Sequence, residues 1–444
     1  MAADPRSGAV DRTLRDALRR LRGAFGGASD VAAAGELPQA PPVTVVGCVR
    51  ASTGMGEVTR ATIAALRAVG HPTSWIDVEP IPTLEAVDLP VPQAPPAGPR
   101  ANLWFVNAVN VEGTRVRLAS EFHAGRPNVG CWSWEMPSFP ANWRRAFDPF
   151  EEIWVGSGYM QASIAAASPV PVVRLPNLVR PATPSARTRA DFGLPPDRFV
   201  FLFTFDPCSV MERKNPLAVV RAFHAAFEGT DPARRPVLVL KMNNRDIAER
   251  RPALHGLDAD TIPALAAAVA EAGGVLLNQR FDRATTSALV ACCDAFVSLH
   301  RSEGFGLSIA EAMALGKPCI ATGWSGNMEF MTPSNSYPVG FRLVTLERDF
   351  GPYAAGERWA DPDVQDAARW MRHVVDRPDE ARRRAETAAA DIAREHGPEV
   401  AGGAIVARLR LLEHGRLARG LLGLGPAAGW LRARIRRRLG RRGD

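Results

Sequence analysis

Short apolar runs alternate along the chain with stretches whose apolar residues recur at helical spacing. The first run, Val43 to Val49, has the length and the β-branched residues of a buried parallel strand. A polar, glycine-bearing loop, Ser52 to Glu57, follows it and leads into a helix predicted to reach Leu66. Further strands are predicted at Leu103 to Val106, Val129 to Trp132, Ile153 to Val155 and Val172 to Leu175. This alternation predicts a layered α/β domain.

A second domain of the same kind is predicted after a break rich in proline, serine and threonine, Pro181 to Thr188. The pattern restarts with the apolar strand Phe199 to Phe203. The elements predicted next are helix Pro216 to Phe227, strand Val237 to Leu240, helix Ile262 to Ala272, strand Val275 to Leu277, helix Thr285 to Cys292, strand Ala295 to Leu299, helix Leu307 to Leu315 and strand Pro318 to Thr322. The sequence therefore predicts two Rossmann-like, doubly wound domains that face a central cleft, with ligands at the carboxyl ends of the strands.

These patterns divide the chain into six predicted segments. They are an N-terminal appendage over 1–42, a first Rossmann-like domain over 43–180, a linker over 181–198, a second Rossmann-like domain over 199–380, C-terminal helices that cross back over 381–415, and a basic amphipathic tail over 416–444.

The composition excludes several classes of protein. Of the 444 residues 46% are hydrophobic and 23% charged, and no run reaches the roughly 18 apolar residues of a membrane-spanning helix. This excludes disordered, collagen-like and integral membrane proteins. The stretch Met1 to Gly23 lacks the apolar core and cleavage site of a secretory signal, which favours a cytoplasmic location. Six scattered cysteines without a C-x-x-C pair are expected to be small buried residues.

The positive charge is concentrated at the C-terminus. The net charge is +7, but the C-terminal stretch from Arg408 to Asp444 has 11 arginines against two acidic residues, so the rest of the chain is slightly acidic. In this tail an apolar stripe runs among the arginines, which is typical of a helix that lies on an anionic membrane surface. We therefore expect a membrane surface as a partner, and we expect no nucleic acid.

The densest pattern of chemically informative residues runs from His300 to Pro318. A predicted strand ends at Leu299, a loop turns, and a helix begins near Leu307, so that free backbone N–H groups and the positive end of the helix dipole point into the cleft. Such a turn is suited to a phosphate group. Gly304 and Gly306 allow a ligand to approach the backbone closely.

Glu303 and Glu311 are separated by seven residues, with Gly-Phe-Gly between them and A-x-G-x-P after them. Because carboxylates repel a diphosphate, sugar and ribose hydroxyls are their expected partners. The string resembles the E-x7-E signature of the group 1 family, which are retaining, nucleotide-sugar-dependent glycosyltransferases of the GT-B fold. The chain is similar to the members of that family that act in bacterial polysaccharide and cell-surface glycan assembly. The resemblance spans about Val43 to Leu412 and is strongest over Phe199 to Asp363.

The resemblance implies roles for individual residues. In that family the first glutamate and the adjoining backbone amides contact the transferred sugar, and the second glutamate contacts the ribose. The first domain would then bind the acceptor, and the second would bind the nucleotide sugar. The donor-binding residues implied in this loop and helix are Glu303, Gly304, Phe305, Gly306, Leu307 and Glu311.

Arg213 and Lys214 form a second candidate group, at a predicted turn from strand to helix. A planar guanidinium fork beside a compact ammonium charge suits the two phosphates of a leaving nucleoside diphosphate. The string R-K-N-P before a helix also resembles the phosphate-binding segment of the same family. Both residues are therefore predicted to bind the donor and to stabilise the leaving group.

The first domain offers weaker candidates. Gly54 and Gly56 follow the first strand, but a dinucleotide fingerprint would need a third glycine where Thr59 stands, so NAD binding is only an alternative for this loop. If the protein is a transferase, the loop helps to close the donor site. Relatives often carry a histidine on the acceptor side, whereas the stretch here contains Glu135, predicted either to position the acceptor hydroxyl or to be a buried structural carboxylate.

Metal binding is not expected. The strings Asp258-Ala259-Asp260 and Asp361-Pro362-Asp363 resemble the metal-binding D-x-D of GT-A enzymes, but neither directly follows a buried strand. The cationic pair described above can supply the positive charge instead. No cofactor other than the nucleotide-sugar co-substrate is expected.

The sequence thus predicts a hexosyltransferase. It would move a mannose-, glucose- or rhamnose-like unit from a nucleotide sugar to a hydroxyl of a glycan or lipid-linked acceptor, with retention and without a metal, in the cytoplasm at the inner face of the membrane. A glycan phosphorylase or a nucleotide-sugar epimerase of the same fold remains an alternative. So does a non-catalytic scaffold on the membrane surface.

Overall fold

Apolar runs that are buried on both faces form parallel strands in the computed structural model, which describes residues 39–78, 100–118, 126–250 and 260–421. The first sheet has six parallel strands in the order β2-β1-β3-β4-β5-β6. Its strands are β1 (Val43–Gly47), β2 (Thr73–Asp77), β3 (Ala101–Phe105), β4 (Asn128–Cys131), β5 (Glu152–Val155) and β6 (Val172–Arg174). The helices between them are α1 (Gly54–Ala68), α2 (Val111–Arg117) and α3 (Gly158–Ala165).

The second sheet also has six parallel strands, in the order β12-β11-β10-β7-β8-β9. They are β7 (Val200–Phe205), β8 (Val237–Met242), β9 (Val275–Leu277), β10 (Ala295–Ser298), β11 (Cys319–Thr322) and β12 (Tyr337–Val339). Its helices are α4 (Met211–Lys214), α5 (Pro216–Phe227), α6 (Arg245–Arg250), α7 (Thr261–Glu271), α8 (Arg283–Cys292) and α9 (Leu307–Ala314). The strand order reverses between β7 and β10, which makes that pair the topological switch point. The predicted pair of doubly wound sheets is confirmed.

Four strands were not anticipated from the sequence, and each lacks the apolar run that marks a central strand. The edge strand β2 is only partly buried, and β12 has three residues, one of them a proline. An antiparallel hairpin, β13 (Phe341–Thr345) and β14 (Arg358–Pro362), follows the second sheet, and β13 is mostly exposed. These strands form because a neighbouring strand pairs with them, and such pairing leaves no local pattern in the sequence.

The C-terminal helices are α10 (Val364–Asp376), α11 (Pro378–His396) and α12 (Pro398–Leu421). The end of α11 contacts the segment that follows the first sheet, where the backbone N–H of Val179 donates to the carbonyl of His396 at 3.0 Å. At the start of α12, Ala401 packs with Ala65 of α1 and with Leu178. The chain therefore returns to the first domain after completing the second.

The described chain divides into two compact units. Residues 42–404 hold both sheets, and the other unit comprises residues 1–41 and 405–444. Of the smaller unit, the structure describes residues 39–41 and the helical stretch 405–421. The predicted N-terminal appendage and basic tail therefore lie almost entirely outside the described residues. None of the described helices combines the length and the apolar character needed to cross a membrane.

The cysteines match the sequence expectation only in part. Cys131, Cys293 and Cys319 are buried, and burial raises the pKa of each thiol. The remaining three, Cys48, Cys208 and Cys292, are half-buried. All six are free thiols.

Two adjacent glycines of α12 give a test of the return contact. A Cβ on Gly402 would lie 2.2 Å from the carbonyl oxygen of Ala65, whereas a Cβ on Gly403 meets nothing within 4 Å. We expect Gly402→Ala to lower the free energy of unfolding by about 1–3 kcal/mol because α12 must move off α1. Gly403→Ala should be neutral or stabilising by up to about 1 kcal/mol, since alanine favours the helix. Urea unfolding of both variants measures the difference, and equal stability would contradict the contact.

Candidate active site

The switch point of the second sheet brings two loops together. One loop joins β7 to α4 and α5, and the other joins β10 to α9. The backbone N–H of Arg301 donates to the carbonyl of Arg213 at 2.8 Å, and the side-chain amide of Asn215 donates to the carbonyl of Leu299 at 2.9 Å. Residues almost 90 positions apart in the sequence therefore form one surface at the carboxyl end of the sheet.

Glu303 lies at the centre of this surface, between two cations. Its Oε1 is 2.5 Å from Nζ of Lys214, and its Oε2 is 3.2 Å from Nη1 of Arg213. Burial alone would favour the neutral acid, but Lys214 and Arg213 outweigh it and lower the pKa of Glu303 to about 2. Glu303 is therefore an anion at neutral pH.

The two cations are not equally accessible. Arg213 is only 3% exposed, and its Nη1 also donates to the carbonyl of Ser302 at 2.8 Å. The side chain of Lys214 is 17% exposed, and its ammonium has three donors, of which Glu303 takes one. The sequence predicted that both cations bind phosphate. In the structure Arg213 is buried against Glu303 and its loop, so Lys214 is the more accessible of the two cations.

Glu135 of the first domain joins the same cluster. Its Oε2 accepts a hydrogen bond from the hydroxyl of Tyr353 at 3.1 Å, and its backbone carbonyl accepts from the hydroxyls of Ser302 and Tyr159. Tyr353 belongs to the segment between β13 and β14. Its ring packs at a tilt against Trp134, with ring centroids 5.6 Å apart, and lies under the guanidinium of Arg213. Tyr353 therefore links Glu135 to Arg213 of the cluster, and the sequence analysis did not identify this tyrosine.

The loop between β10 and α9 is held in place by neighbouring turns. The backbone N–H of Glu303 donates to Oγ of Ser325 at 2.8 Å, and the carbonyl of Gly304 accepts from Oγ of Ser157 of the first domain at 2.6 Å. Gly306 has a φ of 89° at the start of α9, a conformation that favours glycine. The N–H groups of Ile309 and Ala310 donate to the carbonyl of Gly306, and those of Leu307 and Ser308 come before these first bonds of the helix. The predicted turn from loop to helix is therefore present, and phosphate binding there stays a prediction.

The ring of Phe305 is packed into the core. The side chain is 7% exposed and packs against Phe330 and His396, with ring centroids 5.1 and 5.4 Å away. Leu307 starts α9 and lines a cavity on the other side of the loop. The ring of Phe305 is therefore part of the core and is not free to contact a ligand.

Gly54 and Gly56 lie in the first turn of α1 rather than in a free loop. The side chain of Thr53 caps this turn by accepting from the N–H of Gly56 at 3.2 Å. A Cβ on Gly56 would lie 2.2 Å from the carbonyl of Ala51, whereas Gly54 faces open space. Gly56 is thus required by packing, and Gly54 is the one beside which a ligand has room.

A cavity of about 280 Å³ lies between α1, the linker and the second domain. Glu311 and Leu307 line it from α9, and Arg283 lines it from the start of α8. From the first domain and the linker it is lined by Glu57, Arg60, Ala61, Ala64, Leu178, Arg180, Pro181, Ala182 and Thr183. Glu311, the second glutamate of the E-x7-E pair, therefore lines this cavity from a position one helical turn inside α9.

The D-x-D strings have other partners. Asp361 pairs with Arg301 at 2.9 Å and with Arg342 at 3.0 Å, and Asp363 caps α10. Asp260 begins a described segment, while residues 258 and 259 lie outside the described ranges. Over 39–78, 100–118, 126–250 and 260–421, no group of three His, Cys, Asp or Glu residues is arranged to hold a metal ion.

Part of the second domain matches a known protein family. Residues 251–345 match the family model described as Glycosyl transferases group 1. No curated protein sequence gives a significant match.

Solved structures show the same fold at low sequence identity. An alpha,alpha-trehalose-phosphate synthase (UDP-forming) from Burkholderia vietnamiensis has a TM-score of 0.58 at 12% identity, with 85% of this chain and 100% of that chain covered. HepE from Anabaena, in complex with UDP and glucose, has a TM-score of 0.55 at 15% identity, covering 85% of this chain and 99% of that chain. The chain spans 55% of the length of the S. aureus TarM G117R mutant, with a TM-score of 0.49, 11% identity and 70% of this chain covered.

The fold and the family match together define the class. The chain has the GT-B fold of glycosyltransferases, and residues 251–345 match the group 1 glycosyl transferases. Its second domain carries the group 1 glycosyltransferase region, which includes the E-x7-E pair of Glu303 and Glu311. The family resemblance, the fold class and the enzyme class expected from the sequence are confirmed.

The Glu303 ion pairs predict a pH-dependent stability. A carboxylate whose folded pKa is depressed stabilises the fold above its unfolded pKa of about 4.3, and that stability is lost as the pH falls toward about 2. We expect Glu303→Gln to lower the free energy of unfolding by about 3 kcal/mol at pH 7. The difference from the unmodified protein should shrink below about pH 4.5.

Urea unfolding over a pH series measures this difference. Glu112→Gln is the control, because Glu112 pairs with Arg115 on the exposed surface and should leave stability unchanged. If the two substitutions behave alike, Glu303 is not held as a buried anion.

Proposed function

We propose that the protein transfers a hexose from a nucleotide sugar to a hydroxyl of a glycan or lipid-linked acceptor, with retention of anomeric configuration and without a metal ion. The observation that carries the proposal is the cluster at the switch point, where Lys214, Glu303 and the N-terminus of α9 meet, with Glu311 lining a cavity one turn further along. HepE, of the same fold, was solved with UDP and glucose.

The donor is proposed to lie along this edge of the second sheet. Glu311 would accept hydrogen bonds from the ribose hydroxyls, and Glu303 with the amides of Phe305 and Gly306 would contact the sugar. The diphosphate would lie between, against the first N–H groups of α9 and the ammonium of Lys214. Arg213, buried behind Glu303, would hold that carboxylate in place instead of touching the phosphates.

The reaction breaks the bond between the anomeric carbon and the phosphate oxygen and forms a bond from that carbon to the acceptor oxygen. No carboxylate other than Glu303 and Glu135 belongs to the described cluster, and Glu303 is already held by two cations. We therefore propose displacement on one face of the sugar, in which the leaving phosphate oxygen takes the acceptor proton. Lys214 and the helix dipole stabilise the negative charge that grows on the diphosphate. Glu135, fixed by Tyr353, positions the acceptor hydroxyl.

The acceptor is proposed to arrive from the first domain and from the membrane. The arginine-rich tail supports docking to an anionic surface at the inner face of the membrane, because each basic residue near such a surface contributes about 1 kcal/mol. A lipid-linked glycan would then be held where the cleft opens.

Lys214 gives a direct test of the mechanism. We expect Lys214→Met to lower kcat by about 100-fold or more, because the leaving diphosphate loses its cation. The substitution also leaves Glu303 with one partner, so a moderate loss of thermal stability is expected beside the loss of turnover. Release of nucleoside diphosphate from UDP-, GDP- and dTDP-hexoses is the assay, and Lys317→Met is the control, since Lys317 bonds to the carbonyl of Ala291 outside the site. Full turnover by Lys214→Met would refute the mechanism.

The stereochemistry and the metal requirement can be tested on the product. We expect NMR to show the anomeric configuration of the donor in the product, and we expect turnover to be unchanged by EDTA. An inverted product would exclude same-face displacement. Activity that is lost with EDTA and restored by Mg²⁺ or Mn²⁺ would show that the cationic groups alone are insufficient.

A further inference from the structure

Arg283, the first residue of α8, bridges three parts of the protein. Its Nη2 lies 3.0 Å from Oε1 of Glu311 and donates to the carbonyl of Arg180, the last residue before the linker, also at 3.0 Å. Its Nη1 contacts the carboxylate of Glu57 on α1. One guanidinium thus contacts α9 of the second domain, the end of the first domain at Arg180, and α1 of the first domain at once.

The contact continues toward the start of α1. Glu57 also pairs with Arg60, which donates to the carbonyls of Val49 and Ala51 at 2.6 and 3.0 Å. Arg60 is therefore already bonded to the first domain and to Glu57. Of the cations that line the cavity, Arg283 is the one in contact with Glu311.

Glu311 needs such a cation because its position favours the neutral acid. Burial raises the pKa of Glu311, and Arg283 opposes that rise. The charged groups that share the cavity are Glu57, Arg60, Arg180 and Arg283, and α11, which packs on α9 from another side, contributes the apolar Ala388 to the core there. An ionised carboxylate accepts hydrogen bonds from hydroxyls more strongly than a neutral acid does.

We propose that Arg283 is a positioning residue that holds Glu311 as an ionised acceptor for the ribose hydroxyls of the donor. This inference rests on the proposed function, in which Glu311 binds the ribose. Arg283 contacts Oε1 of the Glu311 carboxylate, and Oε2 is the oxygen proposed to accept from the ribose. Because the same guanidinium contacts Glu57, the ribose end of the site is also tied to α1 of the first domain.

The test compares ribonucleotides with their 2′-deoxy counterparts, because the ratio of their dissociation constants reports the bond between a hydroxyl and Glu311. UDP, GDP and ADP are paired with dUDP, dGDP and dADP, and the pair that binds best is used. We expect the unmodified protein to prefer the ribonucleotide by about tenfold at both about pH 6 and about pH 9. Ionisation of the phosphates affects both members of a pair alike, so it cancels from the ratio.

Arg283→Met should lose most of this preference at about pH 6, and the loss should be smaller at about pH 9, because burial raises the pKa of Glu311 and a higher pH favours its ionised form. Arg283→Gln is a second variant with the same expectation. Glu57→Gln is the matched control, because it removes the other partner of Arg283 and should keep the preference at both pH values. Glu311→Ala should have no preference at either pH.

An unchanged preference in Arg283→Met at about pH 6 would overturn the inference, as would a loss of the same size at both pH values. If the unmodified protein binds a nucleoside diphosphate but shows no preference that Glu311→Ala removes, the inference fails while donor binding stands. If it binds none of the nucleotides, the proposed function fails as well.

Discussion

A carboxylate held between two cations at the switch point of the second sheet organises the candidate active site. Glu303 lies largely buried between Arg213 and Lys214, and such charges would be costly to bury without partners. The ion pairs fix the loop before α9 and so fix the amide groups beside it. They also hold Lys214 at the edge of the cleft with donors to spare. The charge on this loop therefore determines both its shape and the kind of ligand it suits.

The two domains contribute to this cluster through polar side chains. Ser157 donates to Gly304, and Tyr353, from the segment between β13 and β14, donates to Glu135. Arg283 and Glu57 form a second connection beside the cavity. Residues of the first and second domains are thus in direct contact both at the cluster and beside the cavity.

The carboxylates of the two E-x7-E glutamates have different electrostatic surroundings. Glu303 has two cations and an unusually low pKa, whereas Glu311 has one cation and a pKa raised by burial. The difference follows from the number of charged partners at each position. Glu303 is therefore held in place by two ion pairs, whereas Glu311 is held by one.

The sequence by itself determined the two α/β domains, because buried parallel strands and the helices between them have distinct apolar patterns that can be read locally. It also determined the loop from Glu303 to Leu307 and the neighbouring cations, which are contiguous motifs. Only the tertiary structure decided that Arg213 is buried behind Glu303, that Tyr353 fixes Glu135, and that Arg283 contacts Glu311. These pairs join residues far apart in the chain, and the strand order and loop packing that bring them together leave no local pattern.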